Sequence, residues 1–191
     1  MFFNMFLWVG FVVLIIIIVG SFITIYNGLI HLKKSIKKAW KNIDVLLKQR
    51  NDELPKIIDA CKVYMGYEER VIKEVTANRL EAQKAISPKE EALANEHIKK
   101  TLLRLFAVAE NYPKLKASKN FQKLQERISK LENKISDRRE FYNSVVNTYN
   151  IRINQIPHSI VADFLKYEEM ELFNVPEEEK ADIDIMKSFN K

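Results

Sequence analysis

The chain has 191 residues, with 31 Lys and Arg, 25 Asp and Glu, four Gly, five Pro and one Cys. Every charged side chain lies from Lys33 onward, a split that excludes an ordinary soluble globule and indicates a membrane segment joined to a polar domain. A polar part of about 160 residues suffices for one continuous core and hardly for two, and a lone cysteine excludes a disulfide framework or a Cys-based zinc module.

From Phe2 to Ile25 the only polar side chains are Asn4, Ser21 and Thr24. As a helix this stretch is roughly 36 Å long, enough to cross a hydrocarbon core of about 30 Å with some tilt. A cleaved secretory signal would need a basic leader and a small-residue cleavage site. No basic residue precedes the apolar run, and Gly20-Ser21-Phe22 is a poor site, so the segment reads as an uncleaved anchor over residues 1–26. Lys33, Lys34, Lys37, Lys38 and Lys41 follow it closely, and by the positive-inside rule they place the N-terminus outside and the rest in the cytoplasm. The lone thiol of Cys61 agrees with a reducing compartment. The five lysines also form a basic cluster on one helical face, where each would gain about 1 kcal/mol beside an anionic leaflet. A pure topology signal accounts for them equally well.

Beyond the anchor the apolar spacing is helical throughout. Leu29, Leu32, Ile36, Ala39 or Trp40, Ile43 and Leu46 or Leu47 step by three and four. Asp52, Glu53 and Pro55 read as a new helix start after Arg50-Asn51. The next face runs from Leu54 through Ile57, Cys61 and Val75 to Ala85, until Ser87-Pro88 stops it and caps a third helix with Glu90 and Glu91 near its N-terminus. The last helix follows Ser118, and positions 121, 124, 128, 131, 135, 138, 142, 145, 149, 152 and 156 form its expected seam. Arg138 and Arg152 interrupt that seam, either by snorkelling to its edge or as a buried pair that sets register.

These patterns predict helices near 28–50, 52–86, 88–112 and 118–156, the first continuing the membrane helix. The fold class is all-α, an N-terminal transmembrane helix followed by an up-and-down antiparallel four-helix bundle. Residues 27–157 make the bundle, and 158–191 a short docking segment and an acidic tail that reads as disordered after Phe173. Within the docking segment, Ile160, Val161, Phe164 and Leu165 are expected to pack on the bundle.

Tyr26-Asn27-Gly28-Leu29 after a membrane span, Ala39-Trp40, and Asn42-Ile43-Asp44-Val45 running through Lys48, Arg50, Asp52, Leu54 and Pro55 resemble the signature of the LemA family. The resemblance continues at Tyr64, Glu68, Leu105-Phe106, Glu110, Tyr112-Pro113, Asn120-Phe121, Leu131-Glu132-Asn133, Tyr142-Asn143, Tyr149-Asn150 and Pro157. It covers about residues 26–165. Val63 stands where the family usually has Gly, and Tyr67 where His is common, so a metal or proton role at that position finds no support. The resemblance implies a bacterial membrane-anchored helical bundle. Magnetosome proteins with LemA-like domains, and members near membrane proteases, make a membrane-associated scaffold the expectation it carries; it supplies no biochemical activity.

The residues themselves give no catalytic constellation. Gly28, Ala94 and Gln155 lie three before His31, His97 and His158, so the Glu-x-x-His pairs of a di-iron bundle are missing, and the histidines are too scattered for zinc. Four glycines at 10, 20, 28 and 66 build neither a phosphate loop nor a dinucleotide fingerprint. No cofactor, metal, nucleic acid or small-molecule substrate is therefore expected. Cys61 reads as a small core residue. Trp40, in phase with Ile36, Ile43 and Leu47, is a core or interface candidate, as are Tyr142 and Tyr149 one heptad apart. The asparagines that follow those tyrosines are expected to bond a neighbouring helix. The reading is a non-enzymatic single-pass membrane protein that presents a cytoplasmic bundle to protein partners. The alternatives are a regulator of a membrane enzyme such as a protease, and a hydrolase with an unrecognised site.

Overall fold

The computed structural model describes residues 2–65 and 69–174. Among these residues there is no strand, and six helices follow in order: α1 Phe2–Lys62, α2 Glu69–Ala82, α3 Pro88–Ala109, α4 Pro113–Lys116, α5 Lys119–Asn154 and α6 His158–Phe164. The chain divides into two compact units. One comprises residues up to Ala39 with Ser144–Met170, the other Trp40–Asn143 with the chain from Glu171. The expected disorder of the acidic tail falls on residues 175–191, outside the described residues, as do Tyr67 and Glu68.

In the first unit, α1 begins with a stretch of mean hydropathy 2.9 in its most apolar window, none of which is buried within the chain. It is long and apolar enough to cross a membrane, and its backbone polar groups are satisfied within the helix, as a hydrocarbon setting requires. The Thr24 hydroxyl donates to the Gly20 carbonyl at 2.8 Å, so this polar group too is satisfied one turn back. α1 passes Tyr26-Asn27-Gly28 without a break, as the sequence predicts. A Cβ on Gly28 would sit 3.8 Å from Arg152 Nη1, so glycine leaves that guanidinium room beside the helix. Leu29, Ile36, Tyr149, Ile153, Val161 and Ala162 are buried in this unit.

In the second unit one cluster gathers Leu54, Ile57 and Cys61 of α1, Val71 and Val75 of α2, Ile98 and Leu105 of α3, Leu115 of α4, and Phe121 and Ile128 of α5. Two helix boundaries here differ from those the sequence predicts. α1 does not stop at Arg50; it carries Pro55 in its interior and ends at Lys62. Proline lacks an N–H and strands the carbonyl four residues back, here Asn51. The Arg79 Nε–H of α2 donates to that carbonyl at 3.2 Å, which removes much of the penalty that makes proline a helix breaker. The single predicted helix 52–86 is instead broken after Lys62, where the amides of Tyr64 and Met65 both turn back to the Cys61 carbonyl.

The start of α3 follows the sequence closely. Ser87 Oγ accepts from the Glu90 amide at 3.2 Å, while Glu90 Oε2 accepts from the amides of Ile86 and Ser87 at 2.8 and 3.3 Å. This reciprocal capping satisfies donors that the first turn leaves open, and the same N–H groups hold the Glu90 carboxyl below its ordinary pKa.

The seam of α5 departs from the predicted one after Ile135. The buried positions are Tyr142, Val146, Tyr149 and Ile153, whereas Arg138 and Arg152 are exposed. Arg152 sits one residue before Ile153, and turning the helix slightly exchanges its guanidinium for that apolar side chain at lower desolvation cost, just as Val146 takes the place of Val145. The arginines thus leave the seam rather than set its register.

Candidate functional site: tyrosine–asparagine clamps on α5

After α6 the chain leaves helical geometry, turning at Lys166, whose φ is +52°, and residues 167–174 form a strap without regular structure. α5 grips that strap through two Tyr-Asn pairs.

In the second unit the Tyr142 hydroxyl donates to the Glu171 carbonyl at 2.9 Å. Asn143 binds one strap residue at two points: its Nδ2 donates to the Phe173 carbonyl at 3.2 Å, and its Oδ1 accepts from the Phe173 amide at 2.8 Å. A primary amide has the donor and acceptor of a backbone peptide side by side, so the asparagine takes the place of a pairing strand. The Phe173 ring is fully buried. It lies 5.7 Å from the Trp40 ring, which in turn is tilted against Tyr142 at 5.4 Å, and the Arg139 guanidinium stands 5.9 Å from its centre.

The first unit holds a module of the same kind. The Tyr149 hydroxyl donates to the Glu168 carbonyl at 3.3 Å. Asn150 binds Met170 at two points, at 3.0 and 2.9 Å. Asn154 Nδ2 donates to the Glu169 carboxylate at 2.7 Å, and Lys33 Nζ lies 4.0 Å above the centre of the Tyr167 ring. In both modules the tyrosine holds one strap residue and the following asparagine holds the residue two further on.

Both phenols are pushed above their ordinary pKa, chiefly by burial. At Tyr142 the Glu171 carboxylate adds to this, and at Tyr149 it is Tyr167. They therefore stay protonated, as a donor to a carbonyl must.

A second polar feature of the second unit ties three helices together. Arg50 is 1% exposed, and its Nη1 donates to Asn95 Oδ1 and to Glu132 Oε1, the latter at 2.9 Å. A buried, paired arginine thus exists, at a position the hydrophobic pattern did not mark. Beside it, a cleft of about 380 Å³ is lined by Asp44, Lys48, Asp52 and Glu91 among others. Burial, then the Asp44 charge, raises the Glu91 pKa to about 7.

The other sequence candidates are placed as follows. Trp40 is half-buried, its ring turned to Tyr142 and Phe173. Of the lysine cluster, Lys34, Lys37, Lys38 and Lys41 are exposed, whereas Lys33 leans on Tyr167. Cys61 is buried in the core and its thiol is pushed up to about 11 by burial, which makes it a poor nucleophile. Among the described residues no three His, Cys, Asp or Glu side chains group as metal ligands. Sequence reasoning missed Asn95, marked Glu132 and Arg139 only as parts of a resemblance, Arg50 only there and as a helix boundary, and Phe173 only as a boundary. The one available signal was the repeated Tyr-Asn pair.

The LemA family model matches residues 39–186, most of the chain and all of the second unit's helices beyond the start of α1. The chain belongs to the LemA family. Protein LemA of Metamycoplasma hominis is 27% identical over 183 residues, which cover 91% of this chain and 82% of that protein. Magnetosome proteins MamQ 2 and MamQ 1 of Paramagnetospirillum magneticum are each 33% identical over 70 residues, covering 37% of this chain and 26% of theirs. Neither the family nor these relatives bear an enzyme's name.

Proposed function

We propose that this LemA-family chain is a non-enzymatic, single-pass membrane protein that serves as an interaction scaffold. Residues 1–26 anchor it in the cell membrane with the N-terminus outside. Residues 27–157 form an up-and-down antiparallel four-helix bundle on the cytoplasmic side, and 158–191 supply the docking segment and acidic tail. Support for the anchor comes from the apolar start of α1 and from the lysines that follow it closely.

The observation that carries the scaffold reading is the Tyr142-Asn143 clamp. Its hydrogen bonds go to backbone, so they hold an extended segment whatever its sequence, and the Trp40 and Tyr142 rings supply one aromatic slot. Recognition by backbone pairing plus one side-chain pocket is a general mode of peptide binding. Trp40, Tyr142 and Tyr149 are thus assigned to holding chain segments, and the exposed lysines to topology and attraction to the inner leaflet.

The test is affinity purification of the full chain in mild detergent with quantitative mass spectrometry, comparing wild type with Asn143→Ala. The reading expects a set of membrane-proximal proteins retained by the wild type and depleted from the variant. Identical recovery with both would refute it. An impermeant thiol reagent that labels Lys99→Cys in intact cells would overturn the cytoplasmic placement.

A further inference from the structure

Short α6 leaves a large apolar surface uncovered. Val161 and Ala162 are buried, but Phe164 is 77% exposed and Ile160 67%, and Ile156 in the turn just before the helix is 83% exposed. The sequence predicts that Ile160 and Phe164 pack onto the bundle; instead they face outward, because Val161 and Ala162 occupy the inward side. A surface this apolar on a short helix marks a contact with something else.

Its surroundings identify the partner. The Phe164 ring meets Phe22 of α1 edge-on at 6.2 Å. Phe22 lies three residues before the end of the apolar run at Ile25, roughly 5 Å inside it at 1.5 Å per residue. Nearby, a groove of about 750 Å³ is lined by Ile16, Gly20 and Thr24 of α1 together with Arg152, Pro157 and His158. The start of α6 therefore runs beside the helix that reads as the membrane span, at the level where hydrocarbon gives way to headgroups. Asp163 and Ser159 border the exposed face, where a carboxylate and a hydroxyl reach headgroups or water, and Arg152 stands beside Gly28, just past the apolar run.

We infer that α6 is a second membrane contact, with Ile156, Ile160 and Phe164 seated in the interfacial layer of the same bilayer that α1 crosses. This rests on the anchor reading above. An interfacial helix buries its apolar side a few ångströms below the headgroups, which is the depth that the Phe22 contact gives Phe164. Two points of attachment would fix the rotation of α1 and α5 about the membrane normal, where a single span leaves it free.

The experiment uses the full chain in phosphatidylcholine–phosphatidylglycerol vesicles with nitroxides on single engineered cysteines; Cys61 is buried, and unmodified protein serves as the labelling control. Collision with oxygen, which concentrates in lipid, is compared with collision with a water-soluble nickel chelate. Labels at Ile160→Cys and Phe164→Cys should report lipid at a shallower depth than a label at Ile15→Cys in the span, and differ from one at Lys99→Cys. If Ile15→Cys reports lipid while positions 160 and 164 match Lys99→Cys, the inference is overturned and the anchor stands. If Ile15→Cys also matches Lys99→Cys, the anchor reading falls and this inference with it.

Discussion

Replacing Phe173 by Ala removes the one fully buried side chain of the strap while leaving both clamps in place. The ring's burial is worth about 3 kcal/mol and its contact with Trp40 about 1 kcal/mol. The three hydrogen bonds to Tyr142 and Asn143 add about 1 kcal/mol each. Against this, ordering residues 171–174 costs about 4–8 kcal/mol of backbone entropy. Docking is thus close to balance, and losing about 4 kcal/mol releases the segment. Phe173 is outside the buried cluster of α1–α5, so cooperative unfolding should be little affected. Hydrogen exchange of the full chain in detergent reads both quantities. The Phe173→Ala variant should lose protection at residues 171–174 while the amides of α3 and α5 keep theirs. Unchanged protection of the strap would refute the reasoning.

Arg50→Ala leaves Glu132 and Asn95 without their partner in a buried setting, and should cost about 3–5 kcal/mol in urea unfolding; a loss under about 1 kcal/mol would contradict the role given to it. Trp40→Ala removes a half-buried ring, so its cost should fall below the about 3–5 kcal/mol of a core aromatic, with the strap protection of Phe173 lost alongside; intact protection would contradict the slot. Glu91 has a folded pKa of about 7, above its unfolded value, so the native state binds the extra proton. Stability should therefore fall as pH rises from about 4.5 through 7, and Glu91→Gln should flatten that slope in thermal unfolding measured across this range; an unchanged slope would exclude Glu91 as its source.

The elements most legible in the sequence are those whose signals are local. The apolar run to Ile25 and the Ser87–Glu90 cap depend on neighbouring residues, and each is found where the sequence puts it. Pro55 misleads because its remedy lies far along the chain: Arg79 accepts the role of donor to Asn51, and no rule of spacing connects the two. The seam of α5 misleads for a smaller reason, since a period of 3.5 drifts against 3.6 and lets Val146 replace its neighbour. The clamp was half visible. The Tyr-Asn repeat stands out, but the expected partner was another helix, whereas the actual partner is a strap. That strap has neither helical period nor strand alternation, and side chain-to-backbone bonds leave no complementary residues to recognise.

The claim that α5 presents a peptide-holding face in the second unit is tested most directly by adding the peptide back. A fluorescent peptide with the sequence of residues 167–174 is titrated into the full chain in detergent and followed by anisotropy. Binding is expected to the Phe173→Ala chain, whose slot is vacated, and more weakly to the wild type, whose own Phe173 competes. Adding Asn143→Ala to Phe173→Ala should weaken binding at least about tenfold, the loss of two backbone hydrogen bonds. Equal affinity for the two variants, or no binding to the Phe173→Ala chain, would contradict the account.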